Sequence, residues 1–138
     1  TTILLLFSGL AINYLNYENK SAEYARQILP DFKYNDKQIS VIHNLILFAK
    51  LLNEPVNHFE KIIYDLKTEY FGRSDYLKLY KLQYLEYVEN VENISIREWK
   101  KQQITLLQKH DFYTLSAKRL REVTAENQIK NIESDNWE

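Results

Sequence analysis

The sequence predicts an all-α fold, a helical bundle of about six to seven helices. Three observations carry the fold class. Only two Gly and two Pro occur in 138 residues, so helix-breaking residues are scarce. Apolar residues recur at helical spacing in one segment after another. Short polar side chains stand at the heads of these segments with Gln or Glu three residues on, the pattern of a reciprocal helix cap. No run of alternating residues bounded by turns suggests a strand, and no repeat of fixed period is present.

The first element is expected over residues 2–12, apolar on nearly every side and weakened late by Gly9. It is too short to span a bilayer, which takes ~20 apolar residues. It also lacks the basic flank of a secretory signal. A buried core helix is expected, with no membrane partner. Residues 13–19 are polar and turn-rich. Residues 21–29 make the next predicted helix, with Ala22, Ala25, Ile28 and Leu29 on one face, and Pro30 stops it. Asn35 is expected to cap a helix running to about residue 51, with Gln38 as its partner. Ile39, Ile42, Ile46 and Ala49 form its stripe, widened by Leu45 and Phe48.

After the loop at Asn53, Glu54 and Pro55, Asn57 and Glu60 form a second cap pair. Phe59, Ile62 and Ile63 are expected to face inward on that helix, which ends at Gly72. Ser74 is expected to cap a longer helix over residues 75–88. Ser95 and Glu98 head another, carrying Trp99, Ile104, Leu106 and Leu107. Asp111 or Thr114 opens a short helix with Leu115, Ala117 and Leu120, and residues 125–132 add a final helical turn or two.

Composition narrows the function. Eighteen basic and nineteen acidic residues nearly cancel, which speaks against an electrostatically bound nucleic acid. With no cysteine there is no disulfide, zinc-thiolate site or thiol nucleophile, and a cytoplasmic location is expected. One domain over residues 1–138 is the expectation from length. No Met occurs even at position 1, so a fragment or one domain of a longer chain is expected.

Several segments in order resemble the HD superfamily of metal-dependent phosphohydrolases. Residues 1–12 are similar to the helix ending in L-F-H-D-x-G, and residues 21–29 to S-A-E-x-A-R-x-x-L. Ala49-Lys50 falls where many members have A-T-K. Residues 62–73 resemble I-I-x-D-A-D-L-x-Y-L-G-R, and residues 110–117 resemble H-x-Y-F-T-x-T-A. The resemblance implies a helical fold and, in typical members, a divalent metal held by His and Asp that activates a water. At those positions this chain departs. Ser8-Gly9 stands for the His-Asp pair, and Lys67 stands for the distal Asp. Glycine offers no donor, a neutral hydroxyl is a poor one, and an ammonium repels a cation. The helix that would supply the first His does not align to any residue here. The resemblance therefore implies a degenerate domain with vestigial positions Ser8, Gly9 and Lys67, no catalytic residue, no bound metal and no cofactor.

The residues left around that old pocket are Lys50, Asp65, Lys67, Glu69 and Arg73. Asp65 and Glu69 are four apart on one helix face, either a working carboxylate pair or members of a structural ion-pair network; the network is the favoured alternative. Lys67 is expected to fill the vacated metal position with its own charge. An anion held by Lys67, Lys50 and Arg73 is the sharper alternative, with no glycine-rich phosphate loop to help it. His43 is expected at the surface or core edge, and His58 in a first helical turn. His110, near a helix end, is expected to favour the dipole as a cation. Tyr76, Tyr80, Tyr84 and Tyr87 form one stripe, expected at the rim of the core, with a protein interface as the alternative. Lys118, Arg119 and Arg121 are expected on a solvated face.

The functional expectation is a catalytically inactive regulatory or protein-interaction module that meets a protein partner or a linked domain, with homodimerisation left open. The alternatives are a phosphohydrolase completed by an upstream segment and a sensor of a phosphorylated small molecule.

Overall fold

The computed structural model describes residues 16–51 and 53–137. The expected helix over residues 2–12, with Ser8 and Gly9, lies outside the described residues. Among the described residues every regular element is helical, and there are seven α-helices: α1 Tyr17–Ile28, α2 Asp36–Leu51, α3 His58–Thr68, α4 Tyr76–Asn90, α5 Ile96–Lys109, α6 Leu115–Leu120 and α7 Ala125–Ser134. Two tight 3-10 turns extend α1 and α3, over Leu29–Phe32 and Glu69–Gly72. No helix among the described residues is long and apolar enough to cross a membrane. The described residues form two compact units, one up to Tyr64 and one from Asp65 onward.

The first unit is organised by a helical hairpin. On α1, Ser21, Ala22, Ala25 and the following Leu29 are buried; on α2, Ile39, Ile42, Ile46 and Ala49 are buried. Ala22, Ala25 and Leu29, with Ser21 beside them, and the α2 set repeat at steps of three and four, which keeps them on one stripe of each helix. The small side chains of α1 let the isoleucines of α2 approach its backbone closely. Lys50 Nζ donates to Asn16 Oδ1 at 2.9 Å, so the end of α2 lies beside the start of α1 and the helices run antiparallel. Pro30 sits in the 3-10 turn rather than at a bare stop. The chain then reverses at Lys33, which adopts φ 63° and donates its amide to Pro30 O at 3.0 Å. Helix α1 begins at Tyr17, inside the stretch expected to be a turn; Glu18 in its first turn suits the positive end of the helix dipole.

The predicted cap of α2 is present in both directions. Gln38 N donates to Asn35 Oδ1, and Asn35 N donates to Gln38 Oε1, each at 3.0 Å. Glu60 N likewise donates to Asn57 Oδ1 at 3.0 Å ahead of α3. On α3 only Ile63 of the three expected inward residues is buried, whereas Phe59 is 61% exposed and Ile62 36%. The buried stripe of this helix passes instead through Asp65 and Thr68.

The second unit packs α4, α5 and α7 around aromatic rings. Phe71, Tyr76, Tyr80, Trp99, Leu107 and Ile132 form its core. Tyr76 stacks on Tyr80 with ring centroids 5.8 Å apart, and Trp137 stands edge-on to Tyr80 at 5.4 Å and to Tyr84 at 5.1 Å. Trp99 closes the series against Tyr84 and Tyr87. Such offset and edge contacts place the positive edge of one ring on the negative face of another.

Each buried hydroxyl in this row has a partner. Tyr76 Oη donates to Gln103 Oε1 at 3.2 Å, Tyr80 Oη to Asp135 Oδ2 at 2.8 Å, and Tyr84 Oη to the Ile94 carbonyl at 3.0 Å. Tyr76 and Tyr80 are wholly buried, so these two offer no surface to a partner, and the interface alternative is corrected for them. Tyr84 and Tyr87 are half-buried. Burial pushes the Tyr76 and Tyr80 phenols well above their ordinary range.

Candidate functional site

The turn that follows α3 is held from a distant part of the chain. Gln128, itself buried on α7, donates through Nε2 to the carbonyls of Phe71 at 3.2 Å and Arg73 at 2.7 Å. The Gly72 carbonyl accepts from Glu122 N at 2.8 Å and Val123 N at 3.0 Å. Glycine is required here for room. A Cβ on residue 72 would lie 3.1 Å from Arg121 Cγ and 3.2 Å from the Phe112 ring. Ser74 does not cap α4 as expected; its amide donates to Glu122 Oε2 at 2.7 Å, and hydrogen bonds from the Ser74 side chain and then its amide hold the Glu122 carboxyl below its ordinary range.

Asp65 is the most constrained carboxylate in this region. It is 5% exposed. Its Oδ1 accepts from Tyr113 N at 2.9 Å and its Oδ2 from Thr114 N at 2.7 Å. Thr114 is the N-cap of α6 and its hydroxyl accepts from Ala117 N at 3.2 Å. Asp65 therefore fixes the start of α6 by satisfying two backbone donors that the helix leaves over. The two segments that carried the resemblance, around Asp65 and residues 110–117, meet at these two bonds.

His110 lies next to this junction. Its Nε2 is 2.8 Å from Thr68 Oγ1, and its ring stands edge-on to Phe71 and Phe112. Burial pushes the imidazole below its ordinary value, with Asp65 and Asp111 opposing that shift. The expectation of a dipole-stabilised cation at this helix end is thus corrected: its desolvation outweighs the charges beside it. His43 is partly buried, with Nδ1 3.3 Å from Asn44 Oδ1, and His58 is exposed.

The candidate residues are only partly gathered. Asp65, Glu69 and Arg73 line one cleft of about 610 Å³ in the second unit; Lys67 is not in its lining, and Lys50 belongs to the first unit. Arg73 does not await an anion. Its Nε and Nη2 donate to the two Asp75 carboxylate oxygens, each at 2.7 Å, and its Nη1 is 3.5 Å from Glu69 Oε1. Glu69 therefore joins an exposed ion-pair network, whereas Asp65 binds backbone amides rather than the cations expected. Sequence reasoning missed Asp75, Glu122, Gln128 and Phe112; nothing local marks them, since their partners in the turn lie mostly far along the chain.

The described residues do not fit a divalent metal. Both oxygens of Asp65 already accept an amide, and Lys67 brings a positive charge two residues on. No three His, Asp or Glu residues among those described converge to hold an ion. What the cleft offers chemically is an apolar floor with a charged rim of both signs. A scan of protein-family models, a search of curated proteins and a search of solved structures each found no match for this chain.

Proposed function

We propose that this chain is a catalytically inactive HD-like domain that works as a regulatory or protein-interaction module. The observation that supports it is Asp65. Of the two aspartates that the resemblance sets in this segment it is the one that remains, and both of its oxygens accept amides that start α6. Two of its roughly four lone-pair sites are thus given to a structural task. Lys67, two residues on, adds a positive charge where the resemblance sets the distal ligand. A missing neighbour of a ligand alone lowers metal affinity by roughly 10–100-fold, and missing ligands cost more.

The test is metal content by mass spectrometry on the full-length protein. It is first incubated with Mn²⁺, Fe²⁺, Ni²⁺ or Zn²⁺ and desalted, and phosphomonoesters and nucleotides are assayed in parallel. The expected result is no retained metal and no turnover. Stoichiometric metal, with turnover abolished by Asp65→Ala, would overturn the proposal and favour the phosphohydrolase alternative.

A further inference from the structure

We propose that the cleft of the second unit docks a partner peptide that sets a Lys or Arg side chain beside a leucine-sized apolar one. This names the partner of the interaction role proposed above and rests on that reading. The floor of the cleft is apolar: Leu66, Phe112, Ala117 and Leu120. Leu120 lines the cleft and is 79% exposed, so it offers a large hydrocarbon surface to a partner there. The rim is acidic. Asp65, Glu69, Asp75 and Glu122 face Arg73 and Arg121, which leaves a net charge of −2.

The division of those charges decides which ligand suits the cleft. Asp65 accepts from two amides, and Arg73 is committed to Asp75 and Glu69. Glu69 meets Arg73 through Oε1, and Glu122 accepts from both the amide and the side chain of Ser74. The exposed Glu69 carboxylate thus keeps acceptor capacity for a cation, next to hydrocarbon that an apolar neighbour would cover. A phosphorylated ligand would enter a net negative field, so the anion-sensor alternative is disfavoured at this cleft. Charge complementarity of this kind sets partner choice more than raw affinity.

The experiment is selection of a random short-peptide display library on the full chain, followed by binding of the enriched peptides to variants. Enriched sequences are expected to place Lys or Arg within a residue or two of Leu, Ile or Phe. Leu120→Ser and Glu69→Lys are each expected to weaken binding by about 10-fold, the loss typical of an interface anchor. Both residues are exposed, and an unchanged melting midpoint in each variant would show that the fold is intact. Absence of enrichment, enrichment of acidic peptides, or binding that ignores both variants would overturn the proposal. So would self-association through Leu120, which would make a second copy the occupant. If metal loading and turnover appear, the interaction reading itself fails. If they stay absent while the selection fails, only the docking inference is lost.

Discussion

The α1–α2 hairpin and the unit built on α4 bury their interiors by different means. In the hairpin, alanines and isoleucines meet along two stripes, and the packing depends on size and spacing. In the second unit, tyrosines and tryptophans carry the core, and their hydroxyls reach named partners on α5, the α4–α5 loop and the residues after α7. An aliphatic stripe tolerates small shifts along the helix axis. A ring whose hydroxyl must meet one acceptor does not, so the second unit specifies its geometry more sharply.

The largest test of that contrast is Tyr76→Ala. It empties a fully buried ring site and should cost about 3–5 kcal/mol in urea unfolding. Removing only the hydroxyl, Tyr76→Phe, should still cost about 1 kcal/mol because Gln103 Oε1 loses its donor. The matching small change in the hairpin, Ile46→Val, should cost about 0.5–1.5 kcal/mol from lost hydrocarbon alone. A Tyr76→Phe variant as stable as the parent would remove the distinction between the two cores.

Next comes Asp65→Asn. The amide keeps one acceptor but turns an NH₂ toward the second backbone donor, so a loss of about 1–3 kcal/mol is expected. Amide exchange should rise at Tyr113 and Thr114 first. Unchanged exchange at both would show that the start of α6 is fixed by something other than this carboxylate. Gly72→Ala should cost about 1–3 kcal/mol by overpacking, since Arg121 can swing aside but the buried Phe112 ring cannot. Gly72→Ala as stable as the parent would show that the turn has slack.

The smallest expected effect is a pH dependence. His110 has a folded-state pKa below its ordinary 6.5, so the unfolded chain binds the proton more readily. Its contribution is present above 6.5 and is lost as the pH falls through the lowered folded value. His110→Gln should flatten the stability profile in that window. An identical slope in parent and variant would assign the dependence to other groups.

Much of this fold is legible in the sequence because it is local. The cap pairs Asn35–Gln38, Asn57–Glu60 and Ser95–Glu98 are all three residues apart, and each forms as read. The stripes of α1 and α2 follow from helical periodicity alone. What misled was also local reasoning. Ser74 has the chemistry of a cap, but the N-cap position falls on Asp75 and Ser74 bonds instead to Glu122, 48 positions away. Asp65 stood out as a candidate, yet its role depends on amides 48 and 49 residues on. Phe59 and Ile62 fit a stripe on spacing, but their helix buries Asp65 and Thr68 instead. Leu115 and Leu120, expected on the short helix α6, are exposed.

The Gln128 clamp has a consequence for the order in which the molecule is made. The carbonyls it grips lie 55 and 57 residues earlier in the chain. During synthesis the turn at Glu69–Gly72 waits, without that clamp, until α7 has left the ribosome. A nascent chain stalled before α7 should therefore already show the hairpin protected from proteolysis but remain cleavable at residues 69–75. A helix made late thus completes a turn made early in the second unit.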